Sequence, residues 1–256
     1  TRLAAGMRNG LLADDAMRRT AEAVAASFEE GVREAGCGNT FAFATAAVRT
    51  AVNGDEFCGL VKKLCGLTID VVAGETEALL GALGAVGNGD GGMVDIGGAS
   101  TEVILRKNGS ICMSVSLPIG AVRILDTCGQ SAGLIDAYIA QVLEQLHGTG
   151  ERVPFCAIGG TASTLACMYL ALPEYDAAKV NGVRLELDWV RATALRLLAM
   201  SPEERKKIPG MDVRRADVIA GATVLLSSVM QKLRMSEVTF SDADNLEGYL
   251  FVRDLI

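Results

Sequence analysis

Eight consecutive residues bring two glycines, two hydroxyls and two carboxylates into one short turn: Asp95-Ile96-Gly97-Gly98-Ala99-Ser100-Thr101-Glu102. Gly97 and Gly98 can take backbone conformations closed to other residues, so their N–H groups can converge on an anion. Asp95 falls at the carboxyl end of an apolar run, where its carboxylate could hold Mg²⁺ or the water around it. Ser100 and Thr101 add hydroxyl donors. The bland alternative is a tight β-turn with no ligand, and the flanking Asp and Glu weigh against it. A second glycine turn, Gly159-Gly160-Thr161, opens a helix, a ready anion site for a distal phosphate or a nucleoside. Its alternative is a plain helix-start turn. The only histidine is His147, next to Gly148. It is expected in the last turn of a helix, where a cation is mildly favoured. A catalytic triad or a histidine-rich metal site is therefore nearly excluded, and carboxylates must run any chemistry. Glu75 and Glu77 compete for that role at the start of one helix, where dipole stabilisation alone is the simpler explanation.

The elements that must position these groups alternate. Apolar spacing at Met17, Ala21, Val24, Phe28 and Val32 predicts a helix over 14–35 that stops at Gly36. A strand follows at 40–45, then helices at 46–53 and 55–65, with Gly66 as a stop. Residues 68–73 form a β-branched run, as expected for a strand covered on both faces. A helix over 75–86 comes next. The glycine-rich stretch Asn88-Gly89-Asp90-Gly91-Gly92 marks an expected boundary between lobes 1–90 and 91–256. In the second lobe, strands are predicted at 93–96, 101–107 and 110–117, the last two joined by Asn108-Gly109, the strongest short hairpin signal. Then come helices at 121–128 and 134–147, a strand at 154–158 and a helix at 161–171. A strand at 183–187 precedes a helix capped by Asp188 and running to Met200. Ser201-Pro202-Glu203-Glu204 reads as a capping box. A long helix over 214–233, a strand at 238–241 and a short closing helix complete the pattern. The alternation in the first lobe predicts a mostly parallel sheet there, and the fold class of the chain is α/β.

Composition agrees. The 256 residues are 50% apolar and 21% charged, which suits one large domain or two ordinary ones. The net charge of −7 argues against nucleic acid as a partner. A polyanion would have to be held locally. Seven cysteines (37, 58, 65, 112, 128, 156 and 167) form no C-x-x-C pair and read as reduced thiols of a cytoplasmic protein. Cys58 and Cys65 read as core. No apolar run is long enough to span a bilayer, so no membrane is expected.

Several segments, in order, resemble the exopolyphosphatase / guanosine-pentaphosphatase family. They are A-T-A-A-V-R at 44–49, with Asn53 and Phe57 after it; A-G-E-T-E-A at 73–78; the 95–102 loop; and S-L-P-I-G-A-V-R at 116–123. Further on stand I-G-G-T-A-S-T at 158–164, R-A-D-V-I-A-G-A at 215–222, and Ser241, Asp242, Glu247 and Gly248. The resemblance implies two actin-like (ribonuclease H-like) lobes around a cleft. It implies hydrolysis of terminal phosphate from inorganic polyphosphate or guanosine pentaphosphate with Mg²⁺ or Mn²⁺, with polyphosphate or guanosine penta/tetraphosphate as the bound partner, in a homodimer. It assigns Glu77 as general base, Asp95 and Glu102 as metal-linked carboxylates, and Arg49 as a phosphate ligand. Gly97, Gly98, Ala99, Ser100, Thr101, Gly159, Gly160 and Thr161 would cradle phosphate. Arg123 is a phosphate ligand or a structural ion-pair partner.

Two departures stand out. The family opens with a further phosphate loop, D-x-G-S/T-N-S, which this sequence lacks; its start at Thr1-Arg2-Leu3 resembles the stretch after the family's third strand. The first lobe is therefore expected to be incomplete, with a bare strand edge, and this chain to hydrolyse polyphosphate poorly or not at all. Near the end, where the family tends to read S-x-x-G-L-R-E-G, Asp244 replaces the glycine and Leu246 the arginine. An ATP-using relative of the same superfamily and a non-catalytic guanosine tetraphosphate sensor are the competing functions.

Overall fold

The computed structural model describes residues 2–36, 39–87, 89–147 and 153–253. Cys37, Asn88 and Gly148 lie outside them. The chain divides into two compact units, Thr1–Gly74 and Glu75–Ile256.

In the first unit, helix α1 (Asp14–Ala35) ends on Gly36, whose φ of 58° is the left-handed cap expected for glycine. Strand β1 (Ala42–Ala44), helix α2 (Ala46–Arg49), helix α3 (Gly54–Cys65) and strand β2 (Ile69–Val71) follow. Helices α1 and α3 share a core of Met17, Ala21, Phe57 and Val61, with Leu12 and Val48. Cys58 and Cys65 pack at its margin. Asn53 ties the entry to α1: its Oδ1 accepts from Leu12 N at 2.9 Å and its Nδ2 donates to Leu12 O at 3.1 Å. β1 and β2 pair in parallel as a two-stranded sheet. The expectation that β2 is covered on both faces fails, because Asp70 and Val71 are exposed.

The second unit begins with helix α4 (Gly74–Val86) and strands β3 (Gly91–Ile96), β4 (Thr101–Lys107) and β5 (Ser110–Leu117). Helices α5 (Ala121–Cys128) and α6 (Ala132–Leu143) lead to strand β6 (Phe155–Ile158) and helices α7 (Gly159–Tyr169) and α8 (Ala177–Val180). Strand β7 (Arg184–Glu186), helices α9 (Leu187–Leu198) and α10 (Pro202–Arg205), helix α11 (Ile219–Lys232), strand β8 (Glu237–Phe240) and helix α12 (Asn245–Val252) close the fold. The six-stranded sheet runs β5-β4-β3-β6-β8-β7. β3–β6 and β6–β8 are parallel, while β3–β4, β4–β5 and β7–β8 are antiparallel. A meander followed by parallel crossovers is the actin-like α/β order anticipated. Asn108 and Gly109 both have positive φ, 50° and 74°, as a two-residue primed turn requires.

Local details depart from the sequence pattern for identifiable reasons. The helix expected over 134–147 ends at Leu143, and tight turns from Val142 and Leu143 carry the chain out, so His147 is not in a helix. Asp188 lies inside the first turn of α9; the cap position belongs to Glu186. The helix expected over 214–233 is split into a 3₁₀ turn, Val213–Arg215, and α11. Arg205 explains the split. It is 1% exposed, and it donates to Leu197 O, Ala216 O and Gln130 Oε1 at 2.8, 3.0 and 2.8 Å. A side chain therefore takes the Ala216 carbonyl. Short α8 was not anticipated.

Helices α4 and α12 approach closely through glycines. A Cβ on Gly248 would run into Leu80 O, and one on Gly84 into Asp244 O. Alanine is the better helix former by about 1 kcal/mol, yet Gly248→Ala is expected to destabilise the protein by about 1–3 kcal/mol through overpacking. That lowers Tm by about 2–4 °C for each kcal/mol, and calorimetric melting checks it.

Candidate active site

The close approach of α4 and α12 carries Glu77 and Asn245 to the carboxyl end of β3. Asp95 and Glu102 are direct cross-strand partners on β3 and β4, so their side chains leave the same sheet face with Cβ atoms about 5 Å apart. Glu102 is 1% exposed and accepts from Ser116 Oγ at 2.9 Å. Glu77 is 5% exposed. Its charge, with those of Glu102 and Asp244, bears on Asp95. Burial of the carboxyl pushes the Asp95 pKa well above its ordinary 3.8, and the three neighbouring carboxylates push it further. A hydrogen bond from the Asn245 side chain is the one opposing influence. Asp95 also lies against Gly159, whose φ is +77° and on which a Cβ would come within 2.5 Å of Asp95 Oδ1.

The glycine loop is held from behind. Gly97 O accepts from Ala121 N, and Gly98 O accepts from Val122 N and Arg123 N, all at 2.9–3.1 Å. The loop's carbonyls are therefore turned into the start of α5. The amides of Gly98, Ala99 and Ser100 have no acceptor among the described residues. Backbone amides without an acceptor, beside carbonyls that are engaged elsewhere, are the polarity an anion requires. Thr101 and Thr161 differ from the expectation that their hydroxyls meet phosphate. Thr101 Oγ1 donates to Ile119 O at 2.7 Å and Thr161 Oγ1 to Ile96 O at 3.3 Å, pinning the loop instead.

Gly159 and Gly160 begin α7 and line a pocket of about 630 Å³ together with Tyr175, Asp212, Arg215 and Asp244. The Arg215 guanidinium lies over Gly160, leaving no room for a Cβ, and its Nε is 3.5 Å from Asp212. Arg49 belongs to the first unit, where its Nη1 donates to Val72 O at 2.9 Å. Of the two carboxylates at the start of α4, Glu75 is exposed and Glu77 is buried. Asp244, Asn245 and Arg215 were not among the expected site residues. The signal for Asp244 was in the sequence: Asp244 and Glu247 form a capping box at the start of α12.

The model of the Ppx/GppA phosphatase family matches residues 1–254. The chain belongs to this family. It is 31% identical over 229 residues to Exopolyphosphatase 2 of Mycobacterium tuberculosis, covering 80% of this chain and 72% of that protein. It is 26% identical over 235 residues to the guanosine-5′-triphosphate,3′-diphosphate pyrophosphatase of Aeromonas salmonicida, covering 88% of this chain and 47% of that protein. The Ppx/GppA crystal structure from Aquifex aeolicus superposes with a TM-score of 0.77 at 26% identity, over 97% of this chain and 84% of that one. An exopolyphosphatase from Cytophaga hutchinsonii gives 0.82 at 25% identity, over 97% and 85%. The Ppx/GppA fold thus spans both units.

The crowding of Asp95 has a sign that can be measured. A carboxyl whose pKa is raised on folding is neutral with respect to stability below its unfolded value and lowers stability as pH rises from about 3.8. In metal-free buffer, Asp95→Asn is expected to raise Tm at pH 7, by about 2–4 °C per kcal/mol of repulsion relieved. The gain should vanish below pH 3.5 or so. Melting curves across pH check both.

Proposed function

We propose that this chain is a phosphoanhydride hydrolase that releases terminal phosphate from inorganic polyphosphate or guanosine pentaphosphate. The observation that carries the reading is the buried Glu77 carboxylate beside the Asp95–Glu102 pair and its glycine loop. The loop amides of Gly98, Ala99 and Ser100, with the start of α7, would bind the terminal phosphate oxygens and stabilise charge as it spreads over them. Glu77 would orient the attacking water and take its proton. Phosphoryl transfer through a loose transition state asks mainly for such positioning. The net charge of −7 gives a polyanion no long-range attraction, so local donors must do the binding.

The resemblance also implies a divalent cation. Among the described residues no group of three or more His, Cys, Asp or Glu is arranged to hold a metal. Asp95 and Glu102 nevertheless fit Mg²⁺, which usually takes one or two protein carboxylates and completes its shell with water and phosphate. When bound there, Mg²⁺ or Mn²⁺ would offset the excess negative charge and polarise the phosphate. Asn245 and Ser116 would hold the two carboxylates in place. A homodimer is part of the same reading and is checked by light scattering. No described helix is long and apolar enough to cross a membrane.

Glu77→Gln keeps shape and removes the base. Phosphate release from guanosine pentaphosphate or polyphosphate should fall by about 10²–10⁴-fold in kcat with little change in KM. Unchanged turnover removes Glu77 from the role.

A further inference from the structure

Three carboxylates, Glu102, Glu77 and Asp244, bear on Asp95, and one neutral donor meets it, the side-chain amide of Asn245. The two ends of that amide are treated very differently. Its N–H donates to Asp95, while its Oδ1 is buried with no hydrogen-bond partner among the described residues. The oxygen lies among apolar groups. A Cβ on Gly81 of α4 would come within 2.6 Å of Asn245 Oδ1, 2.7 Å of Met93 Cε and 3.1 Å of Ile158 Cδ1. Met93 and Ile158 are both buried. A buried acceptor without a donor lowers stability, and a leucine of similar outline would fill the same space without that loss. Such an atom calls for a reason other than packing. The backbone keeps it in place. Asn245 is the first residue of α12, whose start is pinned by reciprocal bonds: Asp244 Oδ1 accepts from Leu246 N at 2.8 Å, and Glu247 Oε2 accepts from Asp244 N at 2.9 Å. The Asp244 carbonyl lies against Gly84, and Gly248 lies against the Leu80 carbonyl.

We propose that Asn245 is a positioning residue that makes this site favour a small octahedral dication, Mg²⁺ or Mn²⁺, over Ca²⁺, by fixing the Asp95 carboxylate in one orientation without neutralising it. The inference rests on the hydrolase reading above and concerns its cation. A Lys or Arg in the same place would also orient Asp95, but its positive charge would repel an incoming dication. An amide orients the carboxylate and adds no charge. Mg²⁺ demands near-ideal octahedral geometry, whereas Ca²⁺ takes more oxygens in flexible arrangements and accepts a carboxylate through one or both of them. A carboxylate held still therefore suits Mg²⁺, and one free to turn suits Ca²⁺. Hydrogen-bond partners of metal ligands commonly account for about 10- to 100-fold in metal affinity.

The test is calorimetric titration of the whole chain with Mg²⁺ and, separately, with Ca²⁺. Melting in metal-free buffer and phosphate release are followed in parallel. Asn245→Leu removes the amide and keeps the side-chain volume; Asn245→Ala removes it and leaves a gap. In metal-free buffer Asn245→Leu should melt at or above the temperature of the unaltered chain, because the orphaned acceptor is gone, and Asn245→Ala should melt below it. Despite these opposite effects on stability, both should bind Mg²⁺ about tenfold or more weakly than the unaltered chain. Their Ca²⁺ affinity should stay within about threefold. Mg²⁺ affinity retained by Asn245→Leu, or Ca²⁺ affinity lost to the same degree, overturns the inference; if phosphate is still released, the hydrolase reading stands. An unaltered chain that binds neither cation also overturns it, and with no phosphate released the hydrolase reading falls as well.

Discussion

Like charges held together govern this site. Asp95 and Glu102 face each other across two antiparallel strands, with Glu77 and Asp244 close enough to be felt. Nothing in folding favours that arrangement. It persists because packing over-determines it: Gly84 and Gly248 let α4 and α12 approach, and Ser116 and Asn245 each offer one carboxylate a hydrogen bond. Such strain, stored where a fold is otherwise well packed, is the usual mark of a site completed by its ligand.

The rest of the second unit serves that arrangement. The sheet order puts β3 between the meander and the parallel strands, so Asp95 has Glu102 on one side and Ile158, the residue before Gly159, on the other. Gly159 must be glycine for two reasons, its positive φ and the carboxylate against it. The start of α5 fixes the glycine loop through the Gly97 and Gly98 carbonyls, and the amides of Gly98, Ala99 and Ser100 have no acceptor among the described residues. Further out, buried Arg205 joins the end of α9, the 3₁₀ turn and Gln130, and so braces the segment that bears Asp212 and Arg215.

What the sequence made legible was local. The glycine loop, the Asn-Gly hairpin, the Gly36 and Gly66 stops and the Ser201 capping box are each dictated by a few adjacent residues, and each appears in the structure. Asp95 and Glu102 could be named because only six residues and one turn separate them. For Asp244 the sequence showed only the capping box at the start of α12, because its place beside Asp95 depends on helices from opposite ends of the second unit. The split before α11 was hidden for the same reason: apolar spacing continues through it, and only the distant Arg205 takes the Ala216 carbonyl. The burial of β2 was overestimated because β-branched residues report strand propensity, whereas burial depends on what packs against them.

The most direct test of the account is the thermal response to Mg²⁺. A cation held by Asp95 and Glu102 would bind the folded chain and not the unfolded one, and so stabilise it by mass action. The account predicts that millimolar Mg²⁺ raises the Tm of the unaltered chain and leaves that of Asp95→Asn nearly unmoved. An equal rise in both, or none in the unaltered chain, would contradict it.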